Sequence, residues 1–471
     1  MAFSEHQDNL SAVKNVLVDG GYTGQPCAAA VRKMLEGDGR GCQTKRTAHI
    51  RLVRKMSTVM EKLRAKTQYQ RAICDLGVSG LVNPKIVNRL LVIFGIALAA
   101  VAGAGEYWTL PIPPQGTAPA DYVEPAKDLS PAACGVCHRK QFREWSSSLH
   151  ARSARGGVLG QLPAFDRETQ VSCLNCHAPG SEQQARFLAA DAGQVQSLSG
   201  VDCVTCHVRR HRRYGPDSKP ITPHGRVAAL PLFKDAAFCS PCHQFPDWGE
   251  RVKGKLLENT EQEWRASPYA SAGIGCRDCH MPAGSHAFKG IHDPGMGRRA
   301  LRVEVRRGQE GIDLRACNVG AGHALPTYAT PRIRVTLNSG GPEGAGLEHI
   351  IQRRLHWDPD TDWTEVADTR LGPGQELRLA LALDPGANAE AVLFVEPDAL
   401  YAELVYPSLE ESIGEDLDPV SLRLLREAKC RAGRTGFVLY RARCPPWPGR
   451  EVACVIEPVP PKAGVYKFPF Q

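Results

Sequence analysis

The sequence predicts two unlike folded parts in series: short helices and loops over residues 127–295, then a mostly-β, sandwich-like domain over residues 296–471. Three observations predict it. Ten of the 17 cysteines stand in five Cys-x-x-Cys-His strings confined to residues 134–280, which chop that stretch into short segments. Beyond residue 296 these strings stop, and apolar residues alternate or run in strand fashion between Gly, Pro and Asn turns. The 471 residues, 42% hydrophobic and 23% charged, suffice for two or three packed domains, and 45 Gly with 35 Pro make the chain loop-rich without making it disordered.

Three further segments precede these parts. Residues 1–80 are polar and basic, with no sustained amphipathic period. Residues 81–110 contain the apolar run LLVIFGIALAAVAGAG at 90–105, preceded by Lys85 and Arg89 and closed by Ala102, Gly103 and Ala104. This is the layout of a secretory signal peptide. Its 16 positions fall short of the about 20 that a full span needs, yet Tyr107 and Trp108 would suit the interface of an uncleaved anchor. Both routes place the bulk of the chain outside the cytoplasm. Residues 111–126, with five prolines, read as an extended linker. The net charge of +8 would suggest nucleic acid, but residues 1–90 hold 15 of the 58 Lys and Arg and 7 of the 50 Asp and Glu. The remaining residues carry 43 of each and offer no phosphate-binding surface.

The five strings are Cys134-Cys137-His138, Cys173-Cys176-His177, Cys203-Cys206-His207, Cys239-Cys242-His243 and Cys276-Cys279-His280. Cys-x-x-Cys-His is the attachment signature of c-type haem. Two thiols add across the two vinyl groups of one porphyrin edge, and the next residue reaches the iron as axial ligand. Zinc also uses Cys-x-x-Cys pairs, but it would not require His directly after the second Cys every time. Residues 127–295 are therefore expected to be a multihaem cytochrome c domain with five covalently attached haem c groups, its short helices and loops packed on haems. At one porphyrin per 30 to 39 residues the haems are themselves the core, and Phe142, Trp145 and Phe245 fill gaps between them.

The second axial ligand decides function: a strong one gives an electron carrier, an open face gives a catalyst. After residue 60 the only methionines are Met281 and Met296, so at least three haems must use something else. The candidate distal histidines are His150, His224, His286, His292 and His323, which match five haems in number. His150 ends a helix-like stretch, and a twelve-residue helical step from His138, about 18 Å, puts both on different irons. His286 and His292 follow the fifth motif in GSHAFKGIHDPG, His323 sits in GAGHALPT, and His224 in TPHG. His211, flanked by arginines in HVRRHRR, reads as solvated, and His349 and His356 as surface residues of the strand region.

The strings CGVCHRKQFREWSSSLH, GVDCVTCH, CSPCHQF, EWRASPYASAGIGCRDCHMP and HAFKGIHDPGM resemble exported multihaem c-type cytochromes, the group related to the tetrahaem cytochrome that accepts electrons from hydroxylamine oxidoreductase. The resemblance covers roughly residues 127–340. It implies that the W-x-x-S-x-H histidine, His150, and the histidines after CHMP, His286 and His292, are distal ligands to other haems. The group holds both carriers and reductases. Separately, residues 14–37 (KNVLVDGGYTGQPCAAAVRKMLEG) resemble part of a DDE insertion-sequence transposase, with Asp19 as one of its metal-binding carboxylates. Residues 1–80 then read as a transposon remnant or a mis-called N-terminal extension.

In the tail, residues 299–306, 331–338, 375–384 and 391–395 read as strands and 418–431 as a helix. Cys317, Cys430, Cys444 and Cys454 are left over, and Cys444 and Cys454 suit a hairpin disulfide. The tail reads as a cap over the last haem, with docking of a partner as the alternative. The functional expectation is an exported, periplasmic pentahaem electron carrier. It exchanges electrons with redox protein donors and acceptors, binds no nucleic acid, and is tethered to the membrane if residues 90–105 stay uncleaved. The alternative is a reductase of a small nitrogen or sulfur oxyanion at one five-coordinate haem, with His211 or Arg212 aiding protonation. A third reading is a haem-to-haem conduit between stacked subunits.

Overall fold

A computed structural model describes residues 107–457 apart from 191–197, 221, 340–345 and 359–360. The transposase-like segment at 14–37 and the apolar run at 90–105 lie outside the described residues. Among the described residues no helix is long and apolar enough to cross a membrane. The described residues up to His356 and from Thr364 onward belong to one compact unit.

Every motif histidine ends or directly follows a short helix: Pro131–Cys137, Arg167–His177, Cys203–His207, Ser240–His243 and Cys276–His280. Local capping sets where several of them begin. Ser130 Oγ accepts from the Ala133 amide at 3.2 Å, and Asp166 accepts from the Thr169 amide at 2.8 Å. Asp202 accepts from the Thr205 amide at 3.0 Å while Thr205 Oγ1 accepts from the Asp202 amide, a reciprocal capping box. The Asp278 carboxylate accepts from the Gly275 amide at 2.7 Å. Helices of one to three turns are marginal alone and need packing. Within this region only Ala154, Leu159, Leu162, Leu174, Ala178, Phe187 and Leu198 form a buried apolar cluster among the described residues.

The C-terminal region consists of antiparallel strands. They are β1 (Leu301–Arg307), β2 (Gly311–Asn318), β3 (Arg332–Ser339), β4 (Gly346–Ile351), β5 (Arg353–Asp358), β6 (Asp362–Asp368), β7 (Glu376–Ala382), β8 (Ala389–Glu396), β9 (Phe437–Cys444), β10 (Val452–Ala453) and β11 (Val455–Glu457). The order β7-β2-β1-β10 makes one sheet, β11-β9-β8-β3-β4 a second, and β5-β6 a two-stranded third. Val303, Val305, Ile312 and Leu314 of the first sheet share a core with Ile333, Val335, Leu337, Leu393 and Val395 of the second. The strict alternation of β1 and β8, buried at every second residue, is what a sheet with one face on the core requires. The expected strands fall on β1, β3, β7 and β8, and the expected helix on Pro419–Ala432, capped by Asp418. A π-helical turn, Tyr401–Val405, leads into the helix Tyr406–Ile413. Cys444 and Cys454 are disulfide-bonded, whereas Cys317 and Cys430 are free thiols.

The two regions interlock. The Arg353 guanidinium, on β5, is almost fully buried and donates to the carbonyls of Val252, Lys255 and Leu256 and to Glu365 on β6. Glu263, on the helix Thr260–Arg265, pairs with Arg370 at 3.0 Å and accepts from the Ala324 amide at 3.1 Å. The loop between β2 and β3, which carries His323, is thereby docked on the cysteine-rich region.

Candidate haem centres

Short helices fix the motif side chains, because cysteines three apart share a helix face. The motifs also touch one another. Cysteine thiols from different motifs lie within hydrogen-bonding reach: Cys134 with Cys203, Cys176 with Cys242, and Cys239 with Cys276.

Four motif histidines face a second imidazole brought from far along the chain. The ring centroids are 6.2 Å apart for His138 and His224, 6.1 Å for His243 and His150, 6.2 Å for His207 and His286, and 6.3 Å for His280 and His323. Two metal–nitrogen bonds of about 2 Å each, plus the inner half of each ring, span about 6 Å. The residues therefore fit a metal held between each pair. His280 and His323 lie only 13° from parallel. Aromatic side chains brace the pairs: Phe233 stacks on His207 at 5.1 Å, and Phe288 contacts both His150 at 4.4 Å and His286 at 6.0 Å.

The tautomers agree with ligation. Nδ1 is the nitrogen engaged in His177 (to Ser153 O, 2.8 Å), His207 (Tyr214 O, 2.9 Å), His280 (Lys289 O, 2.7 Å), His286 (Gly284 O, 3.0 Å) and His323 (Ala324 O, 2.8 Å). A carbonyl can only accept, so Nδ1 carries the proton and the Nε2 lone pair is left for a metal. His224 reaches the same state through Thr222, whose hydroxyl donates to Gly225 O and accepts from Nδ1 at 2.8 Å. Burial pushes His150, His207, His243 and His323 down to about 4, so they are neutral at physiological pH.

His177 differs. Burial lowers it too, but among the described residues no imidazole stands opposite it. His292, expected on an iron, turns its Nε2 to Asp398 instead, at 3.0 and 3.2 Å. The reason is local: the carboxylate of Asp398 competes for the nitrogen that a metal would need. Met296, among the described residues the one methionine not adjacent to a motif, has its sulfur engaged by Arg299.

His211 corrects its sequence reading. It is 3% exposed rather than solvated. Arg210 and His211 form the two-residue turn between the short strands Val208–Arg209 and Arg212–Gly215, both at positive φ (50° and 60°). That turn tucks the ring inward, where Nε2–H donates to Gly116 O at 3.0 Å and Tyr122 caps its carbonyl. Flanking arginines signalled solvent, but the turn sets the ring's direction. His349 is half-buried and His356 exposed.

Sequence reasoning missed several residues. Arg213 is 8% exposed and lies within electrostatic reach of Cys134 and His224. Tyr401 lies beside Cys173 and Asp398, and Glu258, pushed up to about 7 by burial, beside Cys176. None sits in a motif, and only the fold brings them to the cysteines.

The cytochrome c554 and c-prime family model matches residues 133–208, a stretch holding three of the five motifs. No curated protein matches the sequence. Among solved structures, a penta-haem cytochrome c552 from Thermochromatium tepidum is similar with a TM-score of 0.48 and 20% identity, over 68% of this chain and all of that one. That likeness is too loose to carry residue roles across. The cytochrome match and the Cys-x-x-Cys-His motifs together support a multihaem c-type cytochrome that binds haem c.

Proposed function

We propose that the chain is an exported electron-transfer cytochrome carrying five haem c groups, four of them ligated by paired histidines. The pairs are His138 with His224, His207 with His286, His243 with His150, and His280 with His323. The single observation that carries this reading is the recurrence of one spacing, 6.1–6.3 Å, at four motif histidines. The haem supplies one-electron redox chemistry, and two strong ligands keep its iron six-coordinate in both oxidation states. The protein's part is to hold each imidazole neutral, oriented and shielded from water. The Cys444–Cys454 disulfide accords with an oxidising compartment outside the cytoplasm.

A second reading is favoured at one position. His177 has no opposed imidazole among the described residues, and the histidines outside them are only His6 and His49. The second haem is then five-coordinate, open to a small nitrogen or sulfur oxyanion, and fed with electrons by the other four. The test is the low-temperature electron paramagnetic resonance spectrum of oxidised holoprotein from the exported fraction, with a haem count and the N-terminus sequenced. Five haems with four low-spin and one high-spin signal are expected. Five low-spin signals would reduce the protein to a pure carrier, and Met1 or Ala2 at the terminus would sink the reading of residues 1–80 as a transposon remnant or mis-called extension.

A further inference from the structure

The histidine held by Asp398 is linked, through Asp398 and Tyr401, to the second motif, where no imidazole opposes His177 among the described residues. His292 is held through Nε2 by Asp398, and its Nδ1 is buried with no hydrogen-bond partner among the described residues. Asp398 lies beside Tyr401 and Tyr406, whose rings are 5.1 Å apart, and Tyr401 lies beside Cys173, the first thiol of the second motif. Tyr401 opens the π-helical turn Tyr401–Val405. Such turns are costly to keep and concentrate at functional sites.

From these contacts we infer that His292, Asp398 and Tyr401 form the polar wall of a small-anion site at the second haem. This inference rests on the reading that the His177 haem is open. The chemistry of each group suits an anion. With Nε2–H donated to Asp398, Nδ1 presents a lone pair, so a guest that enters as its conjugate acid can leave its proton there and then meet Nδ1–H as a donor. Asp398 fixes the ring and offsets the charge gained with that proton, so the site holds a donor without an unpaired buried cation. The Tyr401 hydroxyl is a second donor, and burial pushes it up, so it keeps its proton. Two donors beside an open metal face select a small oxyanion or pseudohalide over a neutral apolar molecule. They also place two protons where each oxygen lost from an oxyanion leaves as water, a change that consumes two protons and two electrons. The electrons are supplied by a redox protein partner.

The test uses azide as probe on the oxidised full-length holoprotein, read by visible and paramagnetic resonance spectra rather than by turnover. The native protein is expected to show one high-spin haem whose signal azide shifts. Asp398→Asn and His292→Ala are expected to keep five haems and that signal but to bind azide at least tenfold more weakly. Tyr401→Phe is expected to weaken binding by a smaller factor. Unchanged affinity in all three variants, with the high-spin signal intact, would overturn the anion wall while leaving the open-haem reading in place. A native protein with no high-spin signal would overturn both. A new high-spin signal appearing only in His292→Ala would make His292 an axial ligand, which overturns both as well. Asp398→Asn keeps the side-chain shape and serves as the readout should His292→Ala fail to fold.

Discussion

At the scale of single residues, Arg213 shows how the protein can tune a haem without touching its iron. Its guanidinium donates to His211 O at 2.6 Å and Ala126 O at 2.8 Å. No carboxylate pairs with it among the described residues, and the Tyr122 ring lies 5.6 Å away. A buried cation satisfied only by carbonyl dipoles keeps most of its charge unscreened. Beside Cys134 and His224 that charge disfavours the ferric state, which adds a positive charge of its own. Arg213→Gln is expected to lower the midpoint potential of the first haem by on the order of 60 mV, a tenfold change in a one-electron ratio. Arg213→Lys should recover part of it. A potentiometric titration resolved by paramagnetic resonance checks this, and an unmoved potential would remove Arg213 from the tuning set. Residues of this kind explain what the sequence hid. The five motifs were legible because haem attachment dictates local spacing. The partner of His292 was not, because only the fold brings Asp398 into reach of its Nε2. His211 was misread because its turn conformation, not its charged neighbours, sets the direction of the ring.

At the scale of elements, the tail is more than a lid. Its β2–β3 loop brings His323 to His280, and Arg353 on β5 reaches back to the hairpin Arg251–Val252 and Lys255–Leu256. Both side chains of the Arg353–Glu365 pair are only 2% exposed, at 3.1 Å. Removing Arg353 leaves Glu365 to Lys255 and Lys253 at the surface and deprives the carbonyls of Val252, Lys255 and Leu256 of their donor, so Arg353→Ala is expected to destabilise the protein by about 3 kcal/mol. The double change Arg353→Met with Glu365→Gln should cost less. Denaturant unfolding of the holoprotein checks both, and a single change that costs no more than the double would remove the ion pair from the account. Strands β1, β3, β7 and β8 were readable from alternation. The strand β2 was passed over although Ile312, Asp313, Leu314 and Arg315 alternate as the residues of β1 do. β9 has a register shift opposite Leu393 and Phe394, which breaks the period of two.

At the scale of the whole molecule, charge sets how partners are met. Residues 91–471 are formally neutral as polypeptide. An oxidised porphyrin iron with two ionised propionates and two neutral imidazoles carries a net negative charge, so residues 91–471 become acidic once loaded with haem. Electron exchange with a basic redox partner is expected to slow as ionic strength rises from about 0.01 to 0.15 M, over which the screening length falls from about 30 to 8 Å. Stopped-flow transfer rates that do not change with salt would count against a charged docking surface.

The opposed imidazoles also impose an order in time. The pairs close the loops 138–224, 150–243, 207–286 and 280–323, and each loop overlaps its neighbours. As a chain emerges from its N-terminus, no pair is complete until a second histidine tens of residues later has followed. The last pair waits for the β2–β3 loop. A chain stalled just before residue 323 would thus have the three earlier pairs complete and leave only His280 without its second imidazole, so the folding of the tail closes the series.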